Sequence, residues 1–179
     1  MTAEEKYEFS GETKEIDSGG KIVILHRIRA LRDIPQYNVK KGDLGGWVER
    51  EGNLSQFGSA WVADEAQVFD EAFVVGYSIV RDEARVYGQA FVDDMAAVFG
   101  KAKVYGRAYL FDSAKVFENA CIYGAPRIYG DVLIGGSARV SGNTSISGKV
   151  RLLGNIRVFG NAVLNGKMKL DGTQNVSDK

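Results

Sequence analysis

From Val62 to Leu170 an aliphatic residue occupies every sixth position, nineteen times in succession, with no insertion or deletion. The series runs Val62, Val68, Val74, Val80, Val86, Val92, Val98, Val104, Leu110, Val116, Ile122, Ile128, Ile134, Val140, Ile146, Leu152, Val158, Leu164 and Leu170. Two residues ahead of each sits a second series, which is alanine at twelve of the nineteen positions. Two residues behind each comes glycine or an acidic residue, from Asp64 to Gly172. Self-similarity at so short a fixed period marks a coil that stacks on itself. Glycine and β-branched residues at constant phase exclude a helix.

Each unit reads small-x-aliphatic-x-Gly/acid-x. Side chains two apart on a strand point the same way, so the small and aliphatic residues face inward together. Glycine reaches positive φ freely and aspartate tolerates it better than most residues, so the third position marks a corner. Three units, or about 18 residues, close one triangular turn whose backbone pairs with the turns above and below. The expectation is an all-β, single-stranded parallel β-helix of roughly six coils, about 30 Å long at the spacing of paired strands. A coil without slack has no loop in which to build a site.

Small-x-aliphatic units at period six resemble the hexapeptide repeat of left-handed parallel β-helices, the fold of trimeric sugar-nucleotide acyltransferases. The wording of the units, KVYGRAYLF, RVYGQAFV, RIYGDVLI and RVFGNAVLNG, is closer to the YdcK-like β-solenoid proteins of enterobacteria and of phage or prophage genomes. The leading segment GDLGGWVEREGNLSQFGSAWV, residues 42–62, is similar to the corresponding segment of those proteins. The resemblance covers nearly all of residues 20–172 and implies a left-handed coil. It speaks to fold more than to function. One departure is that glycine here follows the aliphatic residue by two positions, whereas in the acyltransferases it commonly follows directly.

The 179 residues make one domain with a cap. Net charge is zero, with 23 basic and 23 acidic side chains, so bulk attraction to nucleic acid or membrane is not implied. The single Cys121 forms no internal disulfide, and Met1–Ser10 does not read as a signal peptide. A cytoplasmic setting is expected. No apolar run approaches the length needed to cross a membrane. Charge is uneven along the chain: residues 60–99 carry eight acids and two bases, residues 100–169 eleven bases and three acids.

Residues 1–57 lack the six-residue period and read as an N-terminal β cap. Tyr7–Phe9, Lys14–Ile16, Lys21–Ala30 and Leu44–Val48 are predicted strands, with turns at Asp17–Gly20 and Val39–Asp43. A parallel solenoid exposes strand edges and core at its ends, and Trp47 and Trp61 are expected to pack over the first coil. The solenoid spans 58–172 and a short polar tail 173–179. Pro126, at a small-residue position, lacks an N–H and is expected to weaken one rung of the ladder.

The chemistry of the enzymes on this fold is missing from the sequence. His26, in the cap, is the sole histidine, so three-histidine zinc sites of the γ-carbonic-anhydrase type are excluded. The corner acids Asp64, Asp70, Asp82, Asp94 and Asp112 do not lie in Gly-Gly-x-Gly-x-Asp nonapeptides, the calcium pattern of repeat toxins. Thr144 and Thr173 are too few for an ice-binding threonine rank. Neither catalytic residues, cofactor nor metal are assigned.

The outward positions stack into three ladders. One collects Phe73, Phe91, Tyr109, Phe111 and Tyr129 with little charge beyond Asp93 and Arg127, and an apolar patch of that kind usually marks an interface. A second interleaves Arg85, Tyr87, Lys103, Tyr105, Tyr123, Arg139 and Arg157, with Phe69, Cys121 and Phe159 in the same columns. That composition suits an anionic ligand, but it equally suits cation–π contacts along a ladder, which is the preferred reading. The third carries Trp61, Arg81, Phe99, Lys115, Phe117 and Arg151. The expected function is a non-enzymatic binding or assembly module. Its partners would be itself, as a dimer or trimer, and an unidentified protein. Nucleic acid is less favoured and membrane is not expected. The alternatives are a phage- or prophage-type accessory protein engaging a host macromolecule, a defence component or nucleic acid, and a degenerate acyltransferase-like enzyme.

Overall fold

The computed structural model describes residues 5–178. The first four residues of the cap segment and Lys179 of the tail lie outside them. The chain is an all-β solenoid of about seven turns with about 18 residues per turn. Strands stack into sheets of ten, seven and six, and within the regular repeat each strand pairs in parallel and in register with those eighteen residues before and after it: Lys103 with Arg85 and Cys121, Ala97 with Ile79 and Lys115, Tyr109 with Phe91 and Arg127. Most solenoid strands are two residues long, because every sixth residue must turn.

All nineteen residues of the corner series have positive φ. The six acidic members, Asp64, Asp70, Asp82, Asp94, Asp112 and Glu118, lie between 52° and 61°. These acids do more than tolerate the bend, since each accepts a hydrogen bond from the corner N–H one coil further on. Gly100 donates to Asp82 Oδ2 at 2.8 Å, Gly130 to Asp112 Oδ2 at 3.0 Å and Asp82 to Asp64 Oδ2 at 3.1 Å, and Gly136 donates to Glu118 Oε2. The inter-coil rungs are carried by the outward strand residues, as in Arg81 N–H to Val98 O and Phe99 N–H to Val116 O.

The small-residue position bonds differently. Ala84, Ala96, Ala114 and Ala120 donate within their own coil, three residues back, to Arg81, Asp93, Phe111 and Phe117. Pro126 therefore removes a local turn bond and no rung. Its carbonyl still accepts from Tyr109 at 2.9 Å, and Arg127 still donates to Thr144. The expected weakening at that rung does not occur.

The coil begins earlier than the unbroken series indicates. β1 (Tyr7–Ser18) and β2 (Lys21–Ala30) form an antiparallel hairpin, and β2 pairs antiparallel with β3 (Leu44–Val48). The irregularity between Phe9 and Thr13 explains why β1 reads as two strands in the sequence. β3 then joins the solenoid in parallel, placing Val48 beside Val68, and Leu54 bridges to Val74. Val48 and Leu54 are thus two ladder residues six apart. A two-residue slip between Leu54 and Val62 hides them from the period.

The glycine pair ahead of Trp47 is explained by crowding. A Cβ on Gly45 would come within 2.7 Å of the Trp61 ring and of Ile28, and one on Gly46 within 2.7 Å of Val62. Trp61 is buried beneath the cap, as expected. Trp47 is not over the end of the coil. It lies on the outer side of the largest sheet in a small cluster with Val23, Leu25 and Phe69, under the Lys14 ammonium, and donates to Glu65 Oε2 at 3.0 Å. The end of the main core is closed by Tyr7, Ile28 and Ile34. At the other end Thr173–Ser177 adds a strand parallel to Asn155–Phe159, and the Asp178 carboxylate receives the Asn161 backbone and side-chain N–H groups.

Lys6 is fully buried at the capped end, donating from Nζ to Ala60 O at 2.7 Å. Loss of hydration there, reinforced by Arg32, pulls its pKa from the ordinary 10.5 down to about 7. The folded protein then holds fewer protons than the unfolded chain between those values, so stability rises with pH across that window. Burial pushes the Tyr7 hydroxyl above its usual range, so it stays protonated meanwhile. Lys6→Met removes a buried ammonium for the loss of one hydrogen bond, worth about 1 kcal/mol. It should raise the melting temperature at pH 7 and flatten its rise between about pH 7 and 9.5; an unchanged slope would contradict the assignment.

Val104 is fully buried between Val86 and Ile122. Val104→Asp would place an unpaired charge there and should cost several kcal/mol. A thermal melt within a few degrees of the parent would show that the ladder tolerates charge.

Candidate functional site

The outward ladders fall on the three sheets as their phase requires, and the surfaces they build differ. On the six-stranded sheet Phe73, Phe91, Tyr109, Phe111 and Tyr129 form one continuous run of rings. Centroids are 5.6 Å apart for Phe73–Phe91, 5.2 Å for Phe91–Tyr109, 4.6 Å for Tyr109–Phe111 and 4.8 Å for Phe111–Tyr129. Each ring is half-buried by its neighbours. The face remains apolar, but less of it is free than a row of isolated rings would offer.

On the ten-stranded sheet Phe69, Tyr87, Tyr105 and Tyr123 stack nearly parallel, with centroid steps of 4.9, 4.7 and 5.4 Å. The ladder grows out of the cap cluster, where Phe69 packs with Trp47 and Leu25. Burial of the rings, with Cys121 beside Tyr105, raises the Tyr87 and Tyr105 hydroxyls and keeps them protonated. Cys121 donates from Sγ to Tyr105 Oη at 3.9 Å.

Beside the rings runs the basic column Arg85, Lys103, Cys121, Arg139 and Arg157, paired in register coil by coil. The expected cation–π contacts are not made here. Among the described residues such contacts occur at Lys14 and Arg27 over Trp47 and at Arg81 over Phe99, none of them on this ladder. Tyr87 and Tyr105 are stacked on both faces and Tyr123 on one, and no cation lies over the face left free. Nor do carboxylates neutralise the column: among the described residues, none of Arg85, Lys103, Arg139 and Arg157 forms a salt bridge. Like charges directly opposite on neighbouring strands repel. On the seven-stranded sheet the similar pair Arg151 and Lys169 is compensated by Asp131 and Asp171.

Three shallow grooves lie end to end along this basic face. The first, about 380 Å³, is lined by Glu65, Gln67, Glu83, Arg85, Lys101 and Lys103. The middle one, about 530 Å³, is lined by Lys101, Lys103, Tyr105, Asn119, Cys121, Tyr123 and Arg139. The last, about 290 Å³, is bounded by Tyr123, Arg139, Ser141, Arg157, Val158, Phe159 and Asn175. Shared residues make them one trough, and its two further sections carry no carboxylate. Six of the seven residues of the candidate anionic-ligand ladder line the trough, and the seventh, Tyr87, stands behind it in the ring stack between Phe69 and Tyr105. The trough adds Lys101 and Asn119, which sit beside corners and reach it from outside the strand positions.

The remaining candidates have local occupations. His26 stacks on Phe9 with centroids 4.6 Å apart. Corner acids hold backbone amides, as described above. No helix among the described residues is long and apolar enough to cross a membrane. No protein-family model matches the chain, and no curated protein is found to match it.

Proposed function

We propose that the chain is a non-enzymatic binding module, a rigid rod whose ten-stranded face receives a polyanionic partner. The observation that carries this reading is the pair of in-register neighbours Arg85–Lys103 and Arg139–Arg157, none of which forms a salt bridge or a cation–π contact among the described residues to relieve their repulsion. An anion lying along the trough relieves it. Arginine forks suit bidentate contact with phosphate or carboxylate, and lysine supplies point charges between them. The wording of the repeat units supports a YdcK-like origin, with which a left-handed coil, a cytoplasmic setting and a phage- or prophage-type role on a host macromolecule are consistent.

The test is binding of fluorescently labelled inorganic polyphosphate by anisotropy. Affinity should fall steeply with added salt, as for any contact that releases counterions. Lys103→Glu with Arg139→Glu should abolish it, while Lys115→Glu on another face should leave it within about twofold, as expected for a distant and independent site. Binding indifferent to salt, or retained by the double variant, overturns the reading.

The run of five rings supports a second role, self-association. The exposed Tyr77 and Met95 lie at the adjoining corner and widen the apolar area. Half-burial lowers the gain below the roughly 1.5–3 kcal/mol of a fully exposed large side chain, so several rings must be covered together to offset the cost of association. A dimer or trimer joined side by side through this face is expected, and Phe91→Glu with Phe111→Glu should yield a folded monomer. Light scattering decides: a parent protein that is monomeric at micromolar concentration, or a double variant that keeps the parent's mass, removes this role.

A further inference from the structure

The aromatic column on the basic face is interrupted once. Phe69, Tyr87, Tyr105 and Tyr123 occupy consecutive coils, the next rung is Ser141, and the one after it is Phe159. Tyr123 therefore has a ring neighbour on one side only. Phe159 has no stacking partner among the described residues, and it is 42% exposed, whereas Phe69 at the start of the column is 2% exposed. Tyr123, Ser141 and Phe159 line one groove, with Arg139 and Arg157 along its side and no carboxylate.

The size of the gap selects what enters it. One coil advances the ring column by 4.7–5.4 Å. Two coils separate Tyr123 from Phe159, or roughly 9.5–10 Å at the spacing of paired strands. A planar ring inserted between them needs about 7–8 Å for contact on both faces, and two rings would need well over 10 Å. The gap takes one ring system. A similar interruption on the seven-stranded sheet is closed: Phe117 leans over Gly135, where an added Cβ would meet the ring at 2.4 Å. At Ser141 a groove of about 290 Å³ stays open instead.

We infer that this slot binds a nucleotide, with its base sandwiched between Tyr123 and Phe159 and its phosphate held by Arg139 and Arg157. The inference rests on the anion-binding reading of this face and adds the class of ligand. Stacking supplies affinity for any base, since each has a π-face, and the paired guanidinium groups supply the phosphate contact. The basic column continues past the slot to Lys103 and Lys101, in line with further phosphates, so either a free nucleotide or one unit of a single strand meets the same chemistry.

The experiment is calorimetric titration of the full chain with adenosine 5′-monophosphate and with ribose 5-phosphate, which lacks the base. The monophosphate should bind about tenfold or more tightly than the sugar phosphate, and Phe159→Ala should lose about as much. Ser141→Tyr is the decisive variant. It continues the ladder and fills the slot, so it should fold with an equal or higher melting temperature, lose the monophosphate and keep polyphosphate binding. A labelled oligothymidylate displaced by the monophosphate identifies a strand as the source. Monophosphate binding without oligonucleotide binding identifies a free nucleotide. Equal affinity for sugar phosphate and monophosphate, tighter binding of phosphotyrosine, or a folded Ser141→Tyr that retains the monophosphate overturns the slot. If polyphosphate binds and the monophosphate does not, the slot falls and the anion-binding face stands; if neither binds, both fall.

Discussion

A left-handed backbone conformation at every sixth residue is the constraint on which the rest of this structure depends. It keeps most strands to two residues before the chain must turn, and three such turns close a coil. The corners must also stack closely. A Cβ on Gly142 would lie 2.3 Å from the Gly160 carbonyl oxygen of the next coil. Where an acid replaces glycine, its carboxylate takes the amide of the corner above, so the cost of a strained φ is offset by a bond that ties two coils together. The acidic character of the first coils is thus partly structural.

Register follows from the corners, and surface chemistry follows from register. With no residue to spare, each outward side chain sits directly beside the one eighteen positions away. Aromatic residues so placed must meet, face to face as in Tyr87–Tyr105 or edge to face as in Phe91–Tyr109, and cations so placed must repel. From Phe69 to Tyr123 the rings on the ten-stranded face stack on one another, whereas the neighbouring Arg85, Lys103, Arg139 and Arg157 form no salt bridge among the described residues. A rigid scaffold also loses little conformational freedom when a ligand lies along it, which favours binding by preorganisation.

The two ends are finished differently. At one, an antiparallel hairpin extends the largest sheet and brings Tyr7, Ile28 and Ile34 over the core. Tyr7 Oη shares its one O–H between the Leu54 and Glu51 carbonyls, and Lys6 donates to the carbonyl of Ala60. Burying an amine there makes the capped end sensitive to pH. At the other end the last strand and Asp178 complete the final coil, and no further element covers it among the described residues.

By itself the sequence determined the inward ladder from Val62 to Leu170, the corners and the membership of the three faces. Each depends on a side chain's phase along the strand or on the backbone preference of a single residue, and both are local. The two-residue slip hid Val48 and Leu54, because a period cannot register a coil of different length. Only the tertiary structure placed Trp47 on an outer face, since the cap hairpin that covers it pairs antiparallel and shares no phase with the repeat. Pro126 proved harmless because the small-residue amide bonds within its own coil, a matter of direction that composition does not carry. The choice between cation–π contact and ring stacking was likewise decided in three dimensions. Arg85 and Tyr87 are two residues apart in the chain, but Tyr87 meets Phe69 and Tyr105 face to face, so neither of its faces is left for a cation. The slot at Ser141 belongs to both levels: the missing ring is written in the column, and its openness depends on Tyr123 staying stacked on Tyr105 instead of leaning over the gap as Phe117 does.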